Sequence, residues 1–153
     1  MLENQGVVYS GLTKDEFGKP YLKEHPHHVS LTHSYPYVAV QLDRWNAVGI
    51  DLEQPKEKLK TIANRVFSAD EVRDAGENIV KLCIYWCAKE ALYKIHGKRN
   101  ILFTDHLRVM PFQLASNGTF TGKILLDANE LIIQLQYLVM MDFVLVYTSP
   151  KAA

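Results

Sequence analysis

Residues 79–97 read I-V-K-L-C-I-Y-W-C-A-K-E-A-L-Y-K-I-H-G. Leu82, Tyr85, Trp86, Lys89 and Tyr93 recur at helical spacing, which predicts a long helix from about Ile79 to Ile95, with Gly97 as its stop. Just upstream, residues 57–66 place Leu59, Ile62, Ala63 and Val66 on one helical face. Ser68 followed by Glu71 forms a capping-box pattern, so a short helix is expected to begin at Ala69. Farther back, Tyr37 to Leu42 (Y-V-A-V-Q-L) and Ala47 to Glu53 read as strands. The turn-like Asp43-Arg44-Trp45-Asn46 between them suggests a hairpin, and Pro55 closes it. The opening stretch to about Val29 reads as irregular, broken by Gly11, Gly18, Pro20 and Pro26. Downstream of the long helix, 107–113, 119–126, 131–138 and 142–148 alternate like strands, with Asn117-Gly118 as the expected hairpin turn. Hairpin, helices, then strands is an α+β order: a small antiparallel sheet packed with one long helix and shorter ones.

At 153 residues and 48% apolar composition the chain suits a single domain spanning 1–153. Seventeen basic residues balance seventeen acidic ones, which argues against a dedicated nucleic-acid binder. The balance is uneven along the chain. Residues 1–55 carry four Lys/Arg against seven Asp/Glu, whereas 56–108 carry eleven against seven, so the middle segment offers a basic face to an acidic partner or a phosphate compound, or simply solvated helix surfaces. No opening stretch reads as a signal peptide and no apolar run has membrane-spanning length, so no membrane partner and a cytoplasmic location are expected. Cys83 and Cys87, four apart within the helical pattern, match neither a redox motif nor a disulfide framework and are expected to be buried and reduced.

The chemistry-bearing residues begin with V-G-I-D-L-E at 48–53. In an extended strand Asp51 and Glu53 point the same way, roughly 7 Å apart at their Cα atoms. Two carboxylates on one face suit a hard cation such as Mg²⁺, although surface strands also alternate acids without function. In W-C-A-K-E-A-L-Y-K at 86–94, Glu90 and Lys94 share a helix face beside Lys89. They form either an ordinary Glu–Lys pair or, functionally, a further metal ligand or general base with a phosphate-contacting lysine. In F-G-K-P-Y a turn could carry Lys19 to a phosphate or into solvent, and His33 in L-T-H-S-Y is a lone histidine. The H-P-H-H at 25–28 lacks zinc-site spacing.

Taken in order, F-G-K-P at 17–20, L-T-H-S at 31–34, V-G-I-D-L-E at 48–53, F-S-A-D-E at 67–71 and W-C-A-K-E-A-L-Y-K at 86–94 form a specific series. From about residue 15 to 148 it resembles the 4′-phosphopantetheinyl transferases of the larger, surfactin-synthetase-activating type. The resemblance implies that fold and an enzyme that moves the 4′-phosphopantetheine arm of coenzyme A to a serine of an acyl or peptidyl carrier protein, releasing adenosine 3′,5′-bisphosphate. It implies Mg²⁺ held by Asp51, Glu53 and Glu90, with Glu90 also as base. Lys94, Lys89, Lys19 and His33 are expected on coenzyme A, and Glu71 as an acid lining the site.

The chain departs from the pattern in two places. Thr32 stands where the family usually has serine before the histidine. Family members also carry several tens of residues more ahead of the G-K-P element than the seventeen here, so the chain resembles the C-terminal half plus the segment leading into it. A homo-oligomer that replaces the other half is one expectation from this, as in the half-size holo-acyl-carrier-protein synthase type. Beside the transferase stand a non-catalytic remnant that binds coenzyme A or a carrier protein, and an unrelated metal-dependent hydrolase.

Overall fold

The structure is a computed structural model that describes residues 4, 6, 8–127 and 129–149. The rest of the opening stretch and residues 150–153 lie outside the described residues. Nine strands and three helices are present among the described residues: β1 (Leu12–Lys14), β2 (Pro20–Leu22), β3 (His28–Ser34), β4 (Tyr37–Asp43), β5 (Ile50–Glu53), α1 (Lys58–Val66), α2 (Ala69–Ala75), α3 (Ile79–His96), β6 (Leu107–Val109), β7 (Asn117–Leu126), β8 (Asn129–Val139) and β9 (Val144–Thr148). They form two antiparallel sheets, β1-β2-β3-β4 and β5-β9-β8-β7-β6.

Helix α3 is the axis of the molecule. Leu82, Cys83, Ile84, Tyr85, Cys87, Ala88, Ala91 and Leu92 are all buried, so apolar residues surround it on several sides rather than along one stripe. It lies on the five-stranded sheet, and α1 and α2 pack against it. Asn78 caps its start through Lys81 N–H at 3.0 Å, and Gly97, with φ +68, ends it in the left-handed conformation that glycine adopts without strain. Helix α2 begins at Ala69 with both hydrogen bonds of the expected capping box formed. Cys83 and Cys87 are buried and free. Among the described residues no helix is long and apolar enough to cross a membrane.

Three expectations need correction. The first is the hairpin of 37–42 with 47–53. The Asp43 carboxylate does organise a turn, accepting from the N–H groups of Trp45 and Asn46 at 2.7 Å. The chain then runs on to Ile50 and changes sheets: β4 pairs with β3, while β5 pairs with β9. Gly49 explains the path, because a Cβ there would sit 2.1 Å from the Ala91 carbonyl oxygen, so the backbone passes directly against α3. The second is the irregular opening, which holds β1, β2 and the start of β3. The third is Asn117-Gly118, which opens β7 instead of turning. Gly118 is needed because the Tyr137 ring lies over it, with Cε1 2.8 Å from a would-be Cβ. The reversal follows Leu126, at Asp127 with φ +44.

Candidate active site

Strand β5 carries Asp51 and Glu53 toward β3, and β3 meets them with hydroxyls. Residues 30, 32 and 34 share one face of β3 because side chains alternate. Ser30 Oγ accepts the Ile50 N–H at 3.1 Å, and Thr32 Oγ1 accepts the Leu52 N–H at 3.2 Å. Thr32 Oγ1 also donates to Asp51 Oδ1 at 3.0 Å, and Ser34 Oγ donates to Glu53 Oε2 at 3.3 Å. The edge of β5 away from β9 is therefore satisfied by side chains of the other sheet.

From α3, Lys94 Nζ reaches Asp51 Oδ1 at 2.8 Å and the Ile50 carbonyl at 2.8 Å. Glu90, one turn earlier, faces the same acids. Burial pushes its carboxyl up to about 7; the Asp51 charge and, less strongly, the Glu53 charge add to the rise, and Lys94 opposes it. A carboxyl titrating there is poised to take up a proton near neutrality. Asp51 Oδ2 is buried and has no hydrogen-bond partner among the described residues. A buried carboxylate oxygen left bare beside two further carboxylates is costly unless a cation or donor meets it. As they stand, no three acid, histidine or cysteine side chains among the described residues converge tightly enough to enclose a metal. The donor set, all carboxylate oxygen with Asp51 Oδ2 buried and unused, is nonetheless of the kind that suits a hard divalent cation.

A cavity of about 550 Å³ opens beside these acids. Lys94 and Thr32 form its wall on the acid side, Tyr93 and Gly97 come from α3, and Lys19 and His33 come from the four-stranded sheet and its connecting turn. The Lys19 turn is held by Asp15, whose Oδ1 accepts from the N–H groups of Phe17 and Lys19 at 2.9 Å, and Gly18 supplies the φ of +88 that the turn requires. Lys19 Nζ donates to the Ile95 carbonyl at 2.9 Å, at the negative end of the α3 dipole. Burial lowers its pKa, and the Asp15 charge partly restores it. His33 is exposed on the outward face of β3.

The structure thus brings Lys94, Lys19 and His33 to one cavity and gathers Asp51, Glu53 and Glu90 next to its Lys94 and Thr32 side. Lys89 and Glu71 are placed elsewhere, which corrects their expected roles. Lys89 is fully buried and its ammonium is fully occupied by Glu71 Oε2 at 2.8 Å and by the carbonyls of Val66 and Phe103 at 2.8 and 2.6 Å. Glu71 caps α2 through Ser68 N–H and accepts from Val109 N–H at 2.8 Å. The pair ties α2, α3 and β6 together and has no donor left over for a ligand. The sequence reading did not assign a role to Asp15, Ser34 or Tyr93, and gave Thr32 none beyond a retained hydroxyl. The regular Ser-x-Thr-x-Ser of residues 30–34 was the available signal for the hydroxyls.

A family model described as the 4′-phosphopantetheinyl transferase superfamily matches residues 47–148. A 4′-phosphopantetheinyl transferase of Bacillus pumilus, psf-1, is 38% identical to this chain over 87 residues, which cover 53% of the chain and 37% of that protein. The match spans well under two thirds of that relative's length.

Proposed function

The chain belongs to the 4′-phosphopantetheinyl transferase superfamily, and from that premise we propose that it transfers the 4′-phosphopantetheine arm of coenzyme A to a serine of an acyl or peptidyl carrier protein. The observation that carries this reading is the cavity: Lys94, Lys19 and His33 line it, and the Asp51 carboxylate lies directly behind Lys94 and Thr32, with the Glu53 and Glu90 charges beside it. An anionic, elongated substrate with phosphates at one end suits a cavity of about 550 Å³ with cations distributed around it.

In the reaction the serine oxygen forms a bond to the phosphorus that bears the pantetheine arm, and the bond from that phosphorus to the adenosine bisphosphate oxygen breaks. Asp51, Glu53 and Glu90 would hold a divalent cation, Mg²⁺ on this reading, whose chemistry is to neutralise pyrophosphate charge and favour departure of the leaving oxygen. Glu90 takes the serine proton. Lys94, which pairs with Asp51 and lines the cavity, supplies positive charge to the phosphates. Lys19 and His33, which line the same cavity, orient the phosphates.

The test is the intact mass of an apo carrier protein incubated with this chain, coenzyme A and Mg²⁺. A gain of one phosphopantetheine arm, lost with Glu90→Ala, is expected. An unchanged mass at high enzyme concentration would refute the transferase reading.

A further inference from the structure

Asp51 is held unequally. Its Oδ1 accepts two hydrogen bonds, from Thr32 Oγ1 at 3.0 Å and Lys94 Nζ at 2.8 Å, while its Oδ2 is buried with none. Thr32 can give this bond in only one sense. Its oxygen already accepts the Leu52 N–H at 3.2 Å, so its single proton is left for the carboxylate. The hydroxyl is buried and β-branched at Cα–Cβ, which restricts its rotamers and so fixes the direction of the bond. Ser30 and Ser34 repeat the arrangement two residues to either side, one on the β5 backbone and one on Glu53.

We propose that this hydroxyl ladder of β3 is the positioning device of the acid cluster, with Thr32 as the residue that makes Asp51 a one-oxygen ligand presenting Oδ2 to a divalent cation. The inference rests on the acid cluster being a cation site, as in the reading above. In this role Thr32 acts on the cation through Asp51. The ladder also couples the two sheets: β3 sets where the carboxylates of β5 stand, although the two strands share no backbone pairing. Groups that orient a ligating carboxylate in this way typically change metal affinity by about 10- to 100-fold when removed.

The experiment is a titration of Mn²⁺, read by its electron-spin-resonance signal, into the whole chain with coenzyme A present. Wild type is compared with Thr32→Val, Thr32→Ser and Ser34→Ala, and folding of each is checked by thermal unfolding. Thr32→Val keeps the shape and removes the hydroxyl, and Mn²⁺ affinity is expected to fall by about tenfold or more. Thr32→Ser restores the hydroxyl and is expected to bind as wild type. A purely structural role for Thr32 would lower the unfolding temperature of Thr32→Val and leave the affinity of its folded fraction unchanged, which would overturn the proposal. Should Thr32→Val not fold, Ser34→Ala decides: weaker binding supports the ladder, and wild-type binding overturns it. Wild type that binds no Mn²⁺ would instead overturn the cation site itself, and this inference with it.

Discussion

Replacing Glu90 by glutamine should make the protein more stable at pH 8 than wild type while abolishing transfer. In the folded chain the Glu90 carboxyl titrates at about 7, against 4.5 for an unperturbed glutamate. Between those values the folded state keeps a proton that the unfolded state has released, so stability falls as pH rises through the interval. At about 1.36 kcal/mol per unit the gap sets a ceiling of about 3 kcal/mol. Partial access of solvent to the carboxyl brings the expected loss to about 1–3 kcal/mol. Below pH 4.5 the carboxyl is neutral in both states and contributes nothing to the slope. The assay is urea unfolding of wild type and Glu90→Gln with a chelator present, followed by tryptophan fluorescence at intervals from pH 4.5 to 8. Other titrating groups cancel in the difference, which should widen in favour of the glutamine across the interval. Added Mg²⁺ should recover part of the wild-type loss at pH 8. Asp51→Asn should flatten the wild-type slope as well, because the Asp51 charge is the second cause of the shift after burial. Parallel pH profiles for wild type and Glu90→Gln would refute the argument, since they would mean that Glu90 ionises at its ordinary value and that the acids are not gathered as described.

Lys89→Met should destabilise the chain by about 3–5 kcal/mol in urea unfolding, because it strands the Glu71 carboxylate in the interior. Adding Glu71→Gln to that variant should restore part of the loss; full tolerance of Lys89→Met alone would show the pair to be dispensable. Gly49→Ala should cost about 1–3 kcal/mol or more, since its new methyl meets a backbone carbonyl of α3 that has no rotamer to escape into. An unfolding midpoint equal to wild type would mean that β5 does not lie as close to α3 as the structure places it.

The helices were legible from local signals because each carries its own start, face and stop: Ser68 with Glu71, the spacing of Leu82 through Tyr93, and Gly97. Strand pairing was not legible, because partners are set by contacts far along the chain. The apolar strand at 47–53 has a turn before it, yet its partner is β9, about ninety residues on. Asn117-Gly118 carries the composition of a turn but answers to the ring of Tyr137. The resemblance grouped the acids with Lys94, and in the fold Lys94 pairs with Asp51 while Glu90 feels the Asp51 and Glu53 charges. Lys89 and Glu71 were misassigned for a physical reason: sequence shows a charge but not whether it is already paired. Adjacent residues 89 and 90 lie about 100° apart around a helix, so one faces the core ion pair and the other the acids of β5.

The main hydrophobic cluster draws its side chains from the three helices, β6 to β9 and the segments between them, and none from β1 to β4. The four-stranded sheet is held to the rest by the three hydroxyls of β3 on β5, by Gln41 on Thr148, by Tyr37 on Asp142 and Phe143, and by Lys19 on the Ile95 carbonyl of α3. Tied on largely by polar side-chain contacts outside that cluster, it is expected to open at lower free-energy cost than the helical core. Because the cavity is walled by that sheet on one side and by α3 on the other, a ligand that fills it binds only the closed arrangement. Occupancy then acts as a latch, and the local stability of the sheet becomes a gauge of how fully the cavity is filled.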